Sequence, residues 1–482
     1  MVAMAAACGR GREPRLGPAI ADARTYGELG ASAVAALDDR LDAGGGRWWS
    51  CDGGCEAGNR DWGDDVLTSA LWLRWAHAPA PRLAARLGEL AATAVDYGPC
   101  AGSCTWSDVA AWDAVADLRE HDATRDARAL ALARHAYDRA RDPAYVGGAC
   151  PAVPFQRARA DGHPLKTLET LATTIEAAIL LARATGDRRY LDDARAEYAA
   201  ARAAFLDPDP ALPLYTTYVV DDGRTCAQLP RRTFASVNGE MMWAGVALAR
   251  DTGDTRYRDD AVATARAVAA RLADARGVFA NLQAENDVAE PLVEGMLALA
   301  ESGDAPARAW LLRNAAAAAA ARTRDGLYGR WWDGPRPRAP VTAWQTSGGL
   351  ALAIAAAALA PDQPLPATDR GDAWATAREI RGELALPITI AFDGSAIAIY
   401  GALGDRCCEA GHARVELDGA PLVDATGVWQ DKSSSGRRFP DTVLFAWRWP
   451  EAGHHVVALL PADDNIKEGG SYAHVTSYAV VP

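Results

Sequence analysis

Two short stretches hold residues whose types and spacing suit acid–base chemistry. The first is Trp106-Ser107-Asp108, in "CTWSDVAAWDAVADL", where an Ala-rich helix begins. Ser and Asp both satisfy orphan N–H groups at a helix start, and Ser107 is expected to act as such a cap. Asp108 offers a carboxyl for proton transfer, and a neighbouring indole offers a face for a sugar ring. The second stretch, "NRDWGDDVLTSALW", places Asp61, Asp64 and Asp65 at the head of another helix. Acids there complement the helix dipole at about 0.3–1 kcal/mol, so both a structural and a chemical role stay open. Trp62, Trp106 and Trp112 are candidates to line ring-binding positions, with core packing as the alternative. Trp331 and Trp332, in "GRWWDG", would make a platform if exposed. Asn238 and Glu240 can bind hydroxyls, as can Glu285, Asn286 and Asp287; His163 is the one histidine expected beside them.

These residues need elements that bring them together. Apolar residues recur at i, i+3, i+4 and i+7 through the first ~360 residues. They predict twelve helices: 22–42, 62–77, 81–96, 106–121, 125–141, 166–185, 188–205, 233–250, 256–274, 286–302, 305–322 and 342–360. Connections after even-numbered helices are short, and two are near copies, "ATGDRRYLDDA" and "DTGDTRYRDDA"; "ESGDAPARA" is a weaker third. Their Gly-Asp step ends one helix and caps the next. Connections before even-numbered helices are longer and richer in polar and aromatic residues. Repeated helix pairs of this kind predict an (α/α)6 toroid, with the even-numbered helices as the inner ring. All inner helices then start at one face, where the long loops meet. Beyond "PDQPLP" the period falls to two, with turns in "FDGS", "LDGA" and "EAGHH", which predicts an all-β sandwich of jelly-roll type. The expected division is 1–20 as a leader remnant or disordered segment, 21–362 as the toroid, 363–384 as a linker and 385–482 as the β-sandwich.

The chain has 482 residues, a net charge of −13 and sixteen Trp against seven Phe. Its acidity argues against nucleic acid and anionic membranes as partners. "MVAMAAACGRG" looks like the tail of a lipoprotein signal, which makes Cys8 a candidate lipid anchor, although its apolar run is short and would need an upstream start. The other eight cysteines are Cys51, Cys55, Cys100, Cys104, Cys150, Cys226, Cys407 and Cys408. An even number in an exported chain reads as disulfides; a four-thiolate zinc site from "CDGGC" and "CAGSC" is the alternative. Adjacent Cys407 and Cys408, near Asp405 and His412, suit either a vicinal disulfide or separate pairings.

With these signals assembled, residues 45–360 resemble glycoside hydrolase family 76, the endo-α-1,6-mannanases. The resemblance rests on the helix-pair order, "GGACPAVPF", "HPLKTLETLATTIEAAILLARATGDRRYLDDA" and "RTFASVNGEMMWAGVALARDTGDTRY". The last part of the chain resembles galactose-binding β-sandwiches through "FDGSAIAIYGAL", "ARVELDG" and "GHHVVAL". The family resemblance implies an adjacent pair of catalytic Asp residues at Ser107-Asp108, where one member is Ser. A Ser hydroxyl is too weakly acidic to protonate a leaving oxygen unaided, so Asp64 or Asp65 becomes the expected partner of Asp108. The expectation is an exported monomer acting on an oligo- or polysaccharide, with no cofactor and no metal. Two alternatives stand beside it: a catalytically inactive glycan-binding protein, and another (α/α)6 enzyme such as an unsaturated uronyl hydrolase.

Overall fold

The computed structural model describes residues 23–482 except 53, 56–61, 101–105, 163, 210, 212, 230–232, 281–287, 339, 368–373, 376–377, 380–385, 404–412, 423–438 and 462–474. Among the described residues, twelve α-helices occupy the first part. The outer set is α1 (Tyr26–Ala36), α3 (Pro81–Ala91), α5 (Ala127–Ala140), α7 (Arg188–Phe205), α9 (Arg256–Arg271) and α11 (Ala305–Ala321). The inner set is α2 (Trp62–His77), α4 (Ser107–Thr124), α6 (Leu168–Thr185), α8 (Ala235–Thr252), α10 (Glu290–Glu301) and α12 (Ala343–Leu359). Each inner helix packs on the next, and α12 closes on α2, so the expected (α/α)6 toroid is formed.

The local signals do what their chemistry requires. Outer helix α3 buries Leu83, Leu87 and Leu90, one stripe at helical spacing. In the repeated short loops, Gly186 and Gly253 take φ of +73° and +77°, a region open to glycine at little cost. Asp187 and Asp254 then accept the N–H groups of Arg189 and Arg256 at 3.0 and 3.1 Å. Asp304 does the same for Ala307 at 2.8 Å. Between α8 and α10 the backbones nearly touch: a Cβ on Gly239 would lie 2.3 Å from the Pro291 carbonyl oxygen, and one on Gly295 would lie 2.4 Å from the Gly239 oxygen.

Backbone and side-chain contacts tie the inner helix starts together at one end. The Ala343 N–H donates to the Ser50 carbonyl at 2.9 Å, joining α12 to the chain before α2. Ser107 N–H donates to the Gln156 carbonyl at 3.1 Å, and Leu168 N–H to the Thr217 carbonyl at 2.9 Å. A small antiparallel sheet, β1 (Leu165–Thr167), β2 (Tyr218–Asp221) and β3 (Cys226–Gln228), braces the loops before α6 and α8. Disulfides Cys51–Cys55 and Cys150–Cys226 pin loops at the same end, and Cys100 is disulfide-bonded as well. The four-thiolate zinc alternative is thereby overturned, since sulfurs spent in disulfides have no thiolate charge for a metal.

The C-terminal part is all-β. Its described strands are β4 (Arg378–Glu379), β5 (Ile388–Leu403), β6 (Ala413–Leu417), β7 (Ala420–Pro421), β8 (Phe439–Pro461) and β9 (Val475–Val481), in the order β4-β9-β5-β8-β6-β7, antiparallel throughout. Of the expected turns, "LDGA" is one: Asp418 and Gly419 have φ of 52° and 78° between β6 and β7. "FDGS" and "EAGHH" instead face each other inside the β5–β8 ladder, where the register shifts between Gly394 and Ala396. Trp331 fastens this domain to the toroid loop before α12. Its indole N–H donates to the Val443 carbonyl at 3.0 Å and its ring meets Phe445 edge-on at 5.5 Å. The Arg448 guanidinium reaches Asp333 at 3.1 Å on the same loop. No helix among the described residues is long and apolar enough to cross a membrane.

Candidate functional site

At the head of α4, Trp106 occupies the cap position without a side-chain cap bond, and Ser107 is the first helical residue. Ser107 therefore does not cap. Fully buried, its hydroxyl bonds the Phe155 carbonyl at 3.1 Å and lies 2.6 Å from the Thr170 hydroxyl, fastening α4 to α6. Asp108 follows in the first turn and is half-buried. The Trp106 ring is half-buried too, with the Arg157 guanidinium 5.3 Å from its centre.

Asp64 and Asp65 sit in the first turn of neighbouring α2, as expected, but they are 3% and 0% exposed. Asp65 belongs to a buried group with Asp113 and Asp117 of α4 around Tyr97, whose hydroxyl donates to Asp113 at 2.5 Å. Burial, with the charges of Asp113, Asp65 and Asp117, raises the Tyr97 phenol far above its ordinary value. Of the three expected acids, Asp108 is thus the one that is not fully buried as a residue, although its Oδ1 is enclosed.

Several expected sugar contacts prove to be packing. Trp331 and Trp332 are 6% and 2% exposed, so neither forms an open platform. Trp332 packs on Phe279 and Trp310 at centroid distances of 5.1 and 6.1 Å, while Trp331 serves the domain junction. Trp112 is buried in the main core. Asn238 is fully buried and committed to backbone: its oxygen accepts Tyr215 N–H at 3.0 Å, and its amide donates to the Tyr215 and Phe234 carbonyls. Trp62 is the first residue of α2. Cys8, Asp61, Cys104, His163, Glu285, Asn286, Asp287, Asp405, Cys407, Cys408 and His412 lie outside the described residues.

Sequence reasoning missed most of the charged groups enclosed by the inner ring. Arg119 of α4 is 4% exposed and reaches Glu176 of α6 at 2.7 Å and Glu294 of α10 at 2.5 Å, with Glu290 at 3.8 Å. Its guanidinium also lies over the Trp72 ring of α2 at 5.1 Å. Towards the helix starts, Glu240 of α8 accepts the Thr173 hydroxyl at 2.6 Å, and Glu169 accepts the Tyr218 hydroxyl at 2.8 Å. Glu176, Glu290 and Glu294 thus lie within 3.8 Å of one cation, whose charge also reaches Glu240. Burial pushes Glu176 up to about 7 against the pull of Arg119, and drives Glu240 and Glu290 well above the usual carboxylate range. The available sequence signal was charge on apolar stripes, as in Glu169 and Glu176 seven apart or Glu290 and Glu294 four apart. Among the described residues, no group of three or more His, Cys, Asp or Glu side chains is arranged to hold a metal ion.

No protein-family model matches the chain, and no curated protein matches its sequence. Solved structures do. An α-1,6-mannanase of glycoside hydrolase family 76 from Salegentibacter sp. HEL1_6 aligns at 19% identity with a TM-score of 0.56, over 69% of this chain and 99% of that one. The toroid has the glycoside hydrolase family 76 fold. An inactive variant of the same mannanase, with two aspartates replaced by alanine and α-1,6-mannotetrose bound, aligns with a TM-score of 0.57. A family 76 mannosidase from Bacteroides thetaiotaomicron VPI-5482 aligns at 16% identity with a TM-score of 0.58, over 69% of this chain and 98% of that one.

Proposed function

We propose that this chain is an exported glycoside hydrolase-like protein acting on an α-mannan or a related microbial polysaccharide. The observation that carries the reading is Asp108: a half-buried acid in the first turn of an inner helix, at the end of the toroid where the long loops gather. The fold shared with α-1,6-mannanases supports the substrate class. Oxidised cysteines support export, because disulfides persist in oxidising compartments; lipid attachment at Cys8 is part of the same reading.

Glycoside hydrolysis uses two carboxyls, ~5–5.5 Å apart with retention and ~6.5–9.5 Å apart with inversion. Asp108 supplies one, acting on the glycosidic oxygen or on water. Asp64, on the adjoining helix start, or Asp65 supplies the other. Ser107 plays neither part, because its hydroxyl is spent on Phe155 and Thr170. The test is a reducing-sugar assay on α-1,6-mannan. Wild type should release oligosaccharides, and Asp108→Asn should abolish release while leaving the circular dichroism spectrum unchanged. Equal release by both proteins would reject Asp108 as the acting carboxyl.

The burial of Asp64 and Asp65 favours a second reading, a toroid that holds glycan without cleaving it. Retention of mannan by wild type with no product release would select that reading.

A further inference from the structure

The β domain is seated on the end of the toroid where the inner helices start. Cys51 and Cys55 before α2, Ala280 before α10 and Trp331 before α12 share one apolar core with Tyr400, Phe445 and Trp447 of the sheet. Packing stays close at Gly334, where an added Cβ would lie 3.4 Å from the Ala446 Cβ. These contacts carry no titrating group. One cluster at the same junction does.

Two carboxyls from different loops meet there. Asp274 lies in the turn after α9, which it closes itself. Its carboxyl accepts the Arg276 and Val278 N–H groups at 2.9 and 3.0 Å, and its own N–H donates to the Val278 carbonyl at 2.8 Å. Asp333 comes from the loop before α12, and its carboxyl is hydrogen-bonded to that of Asp274. Two carboxylates cannot form such a bond, because each only accepts; one of them must carry a proton. Asp333 is the one that holds it. Its Oδ2 is enclosed and accepts no hydrogen bond among the described residues, with the Arg276 guanidinium 3.3 Å away. Burial and the neighbouring Asp274 charge push Asp333 up to about 7, against Arg448 and Arg276.

Arg448 of β8 completes the cluster from the other domain. Its Nε donates to the Asp333 carbonyl at 2.8 Å and lies 3.1 Å from Oδ1, while its guanidinium sits 5.0 Å from the centre of the Trp374 ring. Asp333 is thus faced by Asp274 and Arg276 from the turn after α9 and by Arg448 from the sheet. Asp274 and Arg448 are each 8% exposed, so little water reaches the group.

We propose that the Asp274–Asp333 pair is a proton-linked latch that seats the β domain on the rim of the toroid. With the proton shared, the pair carries a single negative charge and Asp333 keeps its hold on Arg448. Loss of the proton sets two like charges side by side in a covered place, where repulsion is weakly screened. Lifting β8 away admits water and relieves it. A carboxyl that holds its proton more tightly in the seated state favours that state at low pH, and the advantage is lost as pH rises through the folded value. Seating is therefore firmest in acid and loosens towards pH 8. The latch concerns the junction alone and stands whether or not the protein cleaves glycan.

Hydrogen exchange on the full chain tests it, read by mass spectrometry at pH 5.5 and 8 with labelling times scaled for the intrinsic exchange rate. Peptides covering 330–334 and 443–448 report the junction, and peptides from α11 serve as reference. Wild type should lose about tenfold in junction protection relative to α11 between the two pH values, the effect of one proton released over about one pH unit. Asp333→Asn keeps a donor for Asp274 without a titrating group. Asp274→Asn leaves Asp333 as a lone acid between two guanidinium groups. Each variant should hold the same junction protection at both pH values. Wild-type protection that does not change with pH relative to α11 overturns the latch, and so does a pH response that persists in either variant. The two variants remove the pair from opposite sides, so one of them with a native circular dichroism spectrum suffices for the comparison.

Discussion

Arg119 is the sharpest handle on the charge enclosed by the inner ring. Arg119→Met keeps much of the side-chain volume but leaves Glu176, Glu290 and Glu294, each under 6% exposed, without their cation. Two direct contacts, at 2.7 and 2.5 Å, are lost; hydrogen bonds to charged groups are worth ~1.5–3 kcal/mol each. Breaking a buried ion pair from one side typically costs ~3–5 kcal/mol, so a loss of about 4 kcal/mol is expected at pH 8.

The sign of the pH dependence follows from the direction of the carboxyl shift. Glu176 holds its proton more tightly when folded, its pKa rising from 4.5 to about 7. Stability from this group is therefore greatest below pH 4.5 and falls as pH rises to about 7, by on the order of 3 kcal/mol. Without Arg119, Glu176 and Glu290 rise further, so at pH 5.5 both are neutral and the variant should lose only about half as much. Urea unfolding followed by the helical signal at 222 nm, at pH 5.5 and 8, measures both values. Adding Glu176→Gln and Glu294→Gln should recover part of the loss, because removing the partners together avoids stranded charge. A loss under about 1 kcal/mol at pH 8, or equal losses at both pH values, would refute the reasoning.

Ser107→Ala should cost about 1 kcal/mol through its lost hydrogen bonds and leave saccharide binding and release unchanged; lost turnover in a normally folded variant would place the hydroxyl in the chemistry. The Cys150–Cys226 bridge spans 76 residues, against 4 for Cys51–Cys55. Replacing both cysteines by Ser should therefore cost about 4 kcal/mol for the long loop and about 2 for the short one on chain-entropy grounds, and thermal unfolding of the two double variants ranks them. Trp331→Ala should cost ~3–5 kcal/mol of packing at the domain junction, visible by calorimetry as earlier melting of the β domain; an unchanged thermogram would show that the indole does not hold the two parts together.

Much of the architecture could be read from one sequence because it rests on local rules. Helical periodicity, the Gly-Asp steps at 186–187 and 253–254, and the shift to period two beyond residue 366 each act over a few residues, so neighbours in sequence suffice to reveal them. What each polar side chain faces is different, because it depends on how far each helix is rotated against partners a hundred residues away. Ser107 looked like a cap and became a strut, since Phe155 and Thr170 meet it from other parts of the chain. Trp331 and Trp332 would have made a platform if exposed and are instead core, one beneath the β domain and one against Phe279. Arg119 of α4 and the glutamates of α6 and α10 escaped notice for the same reason: an inner helix is covered on every side, so its composition names no face. Packing against α2, α6 and α10 chose one, and it set Arg119 among carboxylates that lie far from it in sequence.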